Sequence, residues 1–330
     1  MHSLKKIDRI DAIRALSDPR RIEILQRLMV HPETISSLGA ALDKHPAWVR
    51  YHVRALEEAG LVSIVEERVT RNYTEKFYSA SAPAYIVGLL IRPELAGARP
   101  LVALASSDFA VEMLADEVAK TSGLITGVAG SLDSLIALRQ GLADIAGCHL
   151  LDVDTGQYNV PYARHLFPDR DIMIVTLAHR EQGLIVPSGN PLGLSDIDQV
   201  TEGRLRFVNR NPGSGTRLWL DHTLRKKGFT VEAIARLGPE VNTHSEAASL
   251  VASGEADVAL GVHAAAEKFD LGFIPLFSER YDLVLTKDVY DTDEASRVID
   301  SLHRKSFKRA VAKMAGYDSS EMGDEYRLVV

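Results

Sequence analysis

After residue 100 the sequence alternates apolar runs of strand length with amphipathic helical patterns. The run 101–105 leads through Ser106-Ser107-Asp108 into a helical pattern, and three later helical patterns also begin after a small polar turn. Strands that alternate with helices form mostly parallel sheets whose strands are buried on both faces. The sequence therefore predicts an α/β domain over residues 101–330.

The first hundred residues have a different pattern, in which short helices precede a hairpin. Residues 92–100 read RPELAGARP, which favours neither a helix nor a central strand. A chain of 330 residues is long enough for two packed cores. We therefore predict a first domain at 1–92, a linker at 93–100 and a second domain at 101–330. The segment 83–91 is predicted to be a short helix, either at a subunit interface or capping the first core.

The first domain has the pattern of two helices joined by a tight turn. A short helix covers 36–42, residues 43–45 turn the chain, and a helix that begins at Pro46 ends at Gly60. The outer face of this last helix combines cations, which bind phosphates, with small or flat side chains that approach base edges. The hairpin that follows has arginines at its tip. We predict that the DNA contacts come from Ala47, Trp48, Arg50, Tyr51, Arg54, Arg68 and Arg71.

The order of these motifs carries a family resemblance over residues 8–80. The segments ALSDPRRIEILQRL and WVRYHVRALEEAGLVS, followed by the hairpin, resemble the winged helix-turn-helix of the ArsR-type bacterial repressors. The resemblance implies double-stranded DNA as a partner and a homodimer or higher homo-oligomer, since such heads read two-fold half-sites. Metal-sensing members carry paired cysteines, whereas this chain has only Cys148, outside the head. We therefore expect no metal site there.

The turns of the second domain suit an anion. Each places backbone N–H groups and a small side chain at a helix N-terminus, where the helix dipole also favours negative charge. A single turn of this kind is usually only a helix cap, but four occur in one domain. The segment 209–217, NRNPGSGTR, is the most specific, because its glycines permit close backbone approach and Arg217 supplies a guanidinium.

Catalytic interpretations of this segment fail on detail. It lacks the spacing and the Lys-Ser/Thr ending of a Walker A loop, and it does not match a G-x-S-x-G nucleophile elbow. The histidines at 149, 165, 179, 244 and 263 show no ligand-like spacing with a carboxylate, and we interpret most of them as solvated or structural. The sequence therefore predicts a protein that has no catalytic site, binds no metal and is not an enzyme.

A second resemblance covers roughly residues 100–315. It rests on GCHLLDVDTGQYNVPY (147–162), RFVNRNPGSGTRLWLD (206–221), and THSEAASLVASGEADVALGV (243–262) with FIPLFSERYDLVL (273–285). These segments resemble the periplasmic-binding-protein-like domain of molybdate- and tungstate-linked regulators. The resemblance implies a two-lobed type II fold with its ligand in the cleft between the lobes. It divides the domain into lobe 1, about 101–177 and 270–330, and lobe 2, about 178–269.

The same resemblance implies the ligand residues and the effector. It assigns the oxyanion site to Ser106, Ser107, Ser131, Ser214, Gly215, Thr216 and Arg217, with Thr243 as a neighbour. The effector is expected to be tungstate or molybdate, without a cofactor. Related proteins often have Gly-Ser-His-Asp after the first strand, where this chain has Ala105-Ser106-Ser107-Asp108, so the missing imidazole bears on ligand preference.

Together these features predict a one-component transcriptional regulator, expected to be a repressor. Two alternatives stay open: a regulator of another small ligand, such as a molybdenum-cofactor precursor, sulfate or an organic acid, and an enzyme of cofactor biosynthesis. Residues 1–98 carry a net charge of +2 and the remainder −9, which fits a DNA-binding head on an acidic body. One cysteine, and no apolar run of about 18 residues, lead us to expect a cytoplasmic protein without a membrane partner.

Overall fold

The computed structural model describes residues 5–69, 74–92, 99–119, 123–202, 205–230 and 238–330. The chain divides into two compact units, Met1–Ile91 and Arg92–Val330, here called the head and the body. Most of the predicted linker, 93–98, lies outside the described residues. Among the described helices, none is both long and apolar enough to cross a bilayer.

The head has four helices and five strands in its described part. The helices are α1 (Ile10–Leu16), α2 (Pro19–Val30), α3 (Ile35–Leu42) and α4 (Pro46–Glu58), and the strands are β1 (Lys5–Ile7), β2 (Glu33–Thr34), β3 (Val62–Val69), β4 (Thr74–Ala80) and β5 (Tyr85–Val87). Asp18 caps α2, with Pro19 at its first position, and Thr34 forms a capping box on α3. The apolar faces of α2, α3 and α4 enclose one core around Leu28, Leu38 and Val53.

A tight turn joins α3 to α4, as the sequence predicts. Asp43 adopts a left-handed conformation at the end of α3. Gly39 lies against this turn so closely that a Cβ on it would be 2.8 Å from the carbonyl oxygen of Lys44. The strands β3 and β4 then form the antiparallel hairpin, with β2 on the other edge of β4.

The predicted helix at 83–91 is wrong. Its central residues form the short strand β5, which pairs in parallel with β1. The segment reads Tyr85-Ile86-Val87 between Pro83 and Gly88, and aromatic and β-branched residues favour strands. The Tyr85 hydroxyl donates a hydrogen bond to the carbonyl of Leu61, 2.7 Å away, which ties this strand to the start of the hairpin.

The body is a curled α/β structure. Its strands are β6 (Leu101–Ala105), β7 (Leu124–Val128), β8 (Ile145–Cys148), β9 (Ile172–Val186), β10 (Phe207–Arg210), β11 (Glu240–Val241), β12 (Val258–Val262), β13 (Gly272–Thr286), β14 (Tyr317–Asp318) and β15 (Glu325–Leu328). Its helices are α5 (Phe109–Val118), α6 (Ser131–Arg139), α7 (Val160–Leu166), α8 (Gly215–Lys226), α9 (His244–Ala252), α10 (His263–Lys268), α11 (Lys287–Tyr290), α12 (Asp293–His303) and α13 (Lys305–Val311), with a 3₁₀ helix at Ile197–Glu202.

Two long antiparallel strands connect the halves of the body sheet. The strand order is β11-β10-β12-β9-β13-β8-β6-β7, and β14 and β15 also pair with β9. The strands β6, β7 and β8 are parallel neighbours in one half, and β10, β11 and β12 in the other. Because β9 and β13 each have 15 residues and pair along their length, they run through both halves.

Candidate functional site

The predicted DNA-contacting residues of α4 lie on one side of the helix. Ala47, Arg50, Tyr51 and Arg54 are exposed, while Val49, Val53 and Leu56 on the opposite side are buried in the head core. Trp48 is half-buried, and its ring centroid lies 4.3 Å from that of the buried His52. The helix therefore presents two arginines and a tyrosine to solvent, with Trp48 at the margin of the core.

Two described arginines of this surface, Arg54 and Arg68, have acidic neighbours. Arg54 pairs with Glu58 one turn later at 2.9 Å. On the hairpin, Arg68 pairs with Glu66 at 2.6 Å and lies over the ring of Phe77. Arg71 lies outside the described residues. Exposed pairs of this kind contribute little to stability, so DNA phosphates can replace these carboxylates at small cost.

In the body, all four predicted turns, at 106–108, 129–131, 209–216 and 242–245, contribute residues to one cleft of about 440 Å³. Gly130, Ser214 and Thr243 line it and are the N-caps of α6, α8 and α9. The remaining lining residues are Ser106, Val128, Ala129, Arg210, Asn211 and Asn242. The cleft thus combines residues of both predicted lobes, with the first turns of three helices around it.

Five predicted ligand residues are not among those that line the cleft: Ser107, Ser131, Gly215, Thr216 and Arg217. Ser131 and Thr216 are buried and engaged within the protein, because their hydroxyl oxygens accept hydrogen bonds from the backbone of His149 and from the Gln182 amide. Ser107 is half-buried beside Ser106. Gly215 is the first residue of α8. Their assignment as ligands stays a prediction.

Arg217 holds the segment 209–217 in place. Its Nε donates to Asp221 at 2.7 Å, and its Nη1 donates to Glu240 at 2.7 Å and to the carbonyl of Arg210 at 3.0 Å. Two carboxylates therefore already neutralise this guanidinium. Arg217, the residue predicted to supply the cation of the site, thus links α8 to β11, and its assignment as a ligand stays a prediction.

Among the described lining residues, the cation is Arg210, at the end of β10, which the sequence analysis missed. Its side chain is 1% exposed. Nη1 lies 2.8 Å from a ring nitrogen of His244, Nη2 donates to the Asn242 carbonyl at 2.9 Å, and Nε has no hydrogen-bond partner. No carboxylate of the described residues pairs with this guanidinium. A buried charge without a counter-ion is unfavourable, so the cleft is electrostatically prepared for an anion.

The surroundings keep His244 neutral and Arg210 charged. Burial, with the neighbouring Arg210, lowers the pKa of His244 well below its usual range. Burial and Arg180 lower the pKa of Arg210 to about 10. Arg210 is therefore protonated at neutral pH, and His244 can accept its hydrogen bond.

A buried ionic network joins the two long strands β9 and β13. The Arg180 guanidinium on β9 donates to Asp108 and to Glu279 on β13, and its carbon lies 4.4 Å from the ring centroid of Tyr281. Gln182 donates to Glu279 at 2.7 Å. Burial acts to raise the pKa of Glu279, but Arg180 and His149 outweigh it and lower the pKa to about 2. Glu279 is thus a carboxylate at neutral pH.

His149 connects this network to the cleft. No spacing in the sequence pairs it with a carboxylate, but the fold does, so His149 is a buried and hydrogen-bonded histidine of the structural kind. Its Nδ1 lies 2.8 Å from Glu279, and its Nε2 lies 3.1 Å from the Ser106 hydroxyl. The turn that contains Ser106 lacks the imidazole often found there in related proteins, and His149, directly after β8, brings one to that turn. Burial lowers the pKa of His149, against the opposing effect of Glu279.

Among the described residues, no group of three or more His, Cys, Asp or Glu side chains is placed to hold a metal ion. Cys148 is buried, and burial raises the pKa of its thiol well above the usual value. A protonated, enclosed thiol is a poor ligand.

Two family descriptions match the chain. "PBP superfamily domain" matches residues 113–303, and "Bacterial regulatory protein, arsR family" matches residues 18–63. The head is thus of a DNA-binding regulator type and the body of a ligand-binding type, and neither description names an enzyme.

Two relatives and one solved structure are similar to this chain. The uncharacterized protein YvgK of Bacillus subtilis is 33% identical over 227 residues, covering 68% of this chain and 73% of that protein. An uncharacterized protein from the ferredoxin 2Fe-2S gene 5′ region of Clostridium pasteurianum is 35% identical over 109 residues, 32% of this chain and 93% of that protein. A candidate phosphate ABC transporter substrate-binding protein of Clostridium perfringens, with bound phosphate, has a TM-score of 0.51 at 15% identity, covering 66% of this chain and 98% of that one.

These findings confirm the predicted fold class. The chain has an N-terminal helix-turn-helix head and a C-terminal α/β body of the two-lobed type II architecture. The membership in a molybdate- and tungstate-linked regulator family stays a prediction.

Proposed function

Because this chain belongs to the PBP superfamily and carries an arsR-family head, we propose that it is a one-component transcriptional regulator that binds a small oxyanion, tungstate or molybdate. The head binds double-stranded DNA as a homodimer, and the body binds the effector in the cleft. The protein acts in the cytoplasm as a repressor.

Arg210 is the observation that carries this proposal. Its guanidinium is buried on the wall of the cleft, and within the described ranges it has no carboxylate partner and its Nε no hydrogen-bond partner. The first turns of α6, α8 and α9 add backbone N–H groups and the positive ends of helix dipoles. An anion in this position neutralises the cation and satisfies donors that the fold leaves open. A neutral solute satisfies the donors but does not neutralise the cation.

Ligand binding between the lobes also supplies enough free energy for regulation. Reversing a two-state equilibrium from about 1:99 to 99:1 requires about 5.5 kcal/mol of differential binding. A buried anion that accepts several hydrogen bonds and pairs with one guanidinium reaches this range, since each charge-assisted bond contributes roughly twice a neutral one.

The size of the cleft favours a second candidate ligand. Its volume of about 440 Å³ exceeds what one tetrahedral oxyanion fills, since a water molecule occupies only about 30 Å³ in the liquid. A larger molecule with an anionic group, such as an organic acid or a molybdenum-cofactor precursor, also fits this space. Its anionic group would take the position beside Arg210.

Titration of the full chain tests both candidates. Isothermal calorimetry with tungstate, molybdate, sulfate and phosphate is expected to give saturable binding for the first two, with an affinity at least about thirtyfold lower after Arg210→Met. A mobility-shift assay with DNA upstream of the protein's own gene is expected to give a shift that the bound anion changes, and sedimentation a dimer. If none of the four anions binds and an organic anion does, tungstate and molybdate are rejected as effectors and the larger ligand is favoured.

A further inference from the structure

Ser106 lines the cleft, but its hydroxyl hydrogen is used inside the protein. Its Oγ lies 3.1 Å from His149 Nε2 and 3.4 Å from the Tyr281 hydroxyl. The other ring nitrogen, Nδ1, lies 2.8 Å from the Glu279 carboxylate, which accepts and cannot donate. In a neutral imidazole only one nitrogen carries hydrogen, and Glu279 places it on Nδ1. Nε2 therefore accepts the hydrogen bond from Ser106.

This arrangement makes Ser106 an acceptor towards the ligand. Its hydrogen points to His149 or Tyr281, so a ligand oxygen that reaches Oγ from the cleft meets a lone pair. A fully deprotonated oxyanion has only lone pairs on its oxygens, and two acceptors in contact are unfavourable. Two states remove the conflict: the ligand brings a hydroxyl hydrogen of its own, or Nε2 gains a proton and donates to Ser106, whose hydrogen then turns to the ligand.

We propose that the Ser106–His149–Glu279 chain reads the protonation state of the ligand, so that a fully deprotonated oxyanion binds together with one proton on His149 and a hydrogen-bearing oxyanion binds without one. The inference rests on the proposed function, because it concerns the same cleft. It distinguishes two ligand classes: tungstate, molybdate and sulfate in the first, and hydrogen phosphate or a related acid anion in the second.

The charges around His149 support proton uptake. Glu279 and Tyr281 face it from β13, Arg180 from β9, Arg210 from β10 and His244 from α9. The carboxylate of Glu279 favours the imidazolium, whereas burial and the two arginines oppose it. An anion beside Arg210 cancels part of that opposition and adds negative charge near the ring. The pKa of His149 therefore rises on binding.

The sign of the pH dependence follows from this rise. Between the pKa of His149 in the free protein and its higher pKa in the complex, each bound deprotonated anion takes a proton from solution, so its affinity falls about tenfold for each unit of increasing pH. An anion that keeps its own hydrogen shows little such dependence in the same range. The number of protons taken up and the slope of affinity against pH measure the same linkage independently.

Calorimetry of the full chain at about pH 8, in buffers of different ionisation enthalpy, counts the protons directly. Each of sodium tungstate, molybdate, sulfate and inorganic phosphate that gives binding heat is scored. Uptake of about one proton per anion is expected for the first three, and near zero for phosphate, which keeps one hydrogen at this pH. Binding of a deprotonated anion with equal heats in all buffers overturns the inference.

Three variants separate a proton relay from a structural role. Ser106→Ala removes the hydroxyl and is expected to weaken binding of deprotonated anions and reduce proton uptake to near zero. His149→Asn keeps an N–H donor for Glu279 but cannot titrate, and the same loss of uptake is expected. Ser301→Ala, a buried serine that donates to the Arg297 carbonyl, is the matched control and keeps the wild-type proton number. Undiminished uptake in Ser106→Ala overturns the inference, whereas no binding of any anion by the wild type contradicts the proposed function, and the inference then fails with it.

Discussion

Gly215 packs so closely against His149 that a Cβ on residue 215 would lie 2.3 Å from the imidazole Nδ1 and 2.4 Å from the His149 carbonyl oxygen. The two residues belong to different predicted lobes, at the start of α8 and after β8. Only glycine therefore permits α8 to begin where its first turn reaches both His149 and the cleft.

Gly215→Ala is expected to weaken both the body's stability and its anion binding. The added methyl group meets backbone and a buried ring, so α8 must shift, and overpacking of this kind costs about 1–3 kcal/mol. Thermal unfolding by circular dichroism and anion titration measure the two effects. Gly127→Ala is the control, since its Cβ would meet only the Leu104 Cδ2 methyl, which can rotate away. Equal unfolding temperatures for wild type and Gly215→Ala would show that the packing against His149 has room for a methyl group.

Arg210→Met and Arg217→Met are expected to have opposite consequences. Replacing Arg210 removes an uncompensated buried charge, so the ligand-free body keeps or gains stability while anion affinity falls at least about thirtyfold. Replacing Arg217 breaks its pairs with Asp221 and Glu240, which lowers the unfolding temperature and leaves most of the affinity. Calorimetry and thermal unfolding of both variants measure this. A greater loss of affinity in Arg217→Met would restore the assignment made from the sequence.

The turns that form the cleft were predictable, because their chemistry is local. A helix cap needs only a small polar residue or glycine at the right spacing, and Gly130, Ser214 and Thr243 all stand where the sequence indicates a helix start. The alternation of strand and helix likewise indicates the α/β body, since it is written within short windows of sequence.

Which of the two arginines remains without a carboxylate partner could not be predicted from the local sequence. Arg210 and Arg217 flank the same glycine turn, and only the positions of Asp221 and Glu240 show which guanidinium is neutralised. The pairing of His149 with Glu279 spans 130 residues and depends on the course of β13 beside β8. No spacing rule within the sequence connects such positions.

Acid is expected to destabilise the body through Glu279. Its pKa in the folded protein is about 2, below the unfolded value of about 4.3. The stability contributed by this carboxylate is therefore present above about pH 4.3 and is lost as the pH falls towards 2. Glu279→Gln should lower the unfolding temperature at neutral pH, with a difference from wild type that narrows as the pH is lowered.

The pKa of Asp282, on the same strand, is shifted in the opposite direction from that of Glu279. Burial raises the pKa of its carboxyl, so its ionised form opposes folding at neutral pH. Asp282→Asn also breaks the ion pair with Arg280, so at neutral pH it should lower the unfolding temperature less than Glu279→Gln does, and its effect should also fade in acid. Unfolding curves from neutral pH down to about pH 3 measure both variants. If the difference in unfolding temperature between Glu279→Gln and wild type stays constant with pH, the charge of Glu279 does not stabilise the folded body.

On the head, Arg54 and Glu58 provide a matched pair for DNA binding. Arg54→Ala is expected to weaken binding about tenfold and to reduce the slope of log affinity against log salt by about one, because one phosphate contact is lost. Glu58→Ala removes the carboxylate that Arg54 contacts at 2.9 Å, so the guanidinium is freed and DNA binding should tighten. Fluorescence anisotropy over a salt series measures both, and anion titration of the same variants should match the wild type. If both variants weaken DNA binding equally, the pair positions α4 rather than contacting the phosphate backbone, because then the intact ion pair, and not the free arginine, is what binding requires.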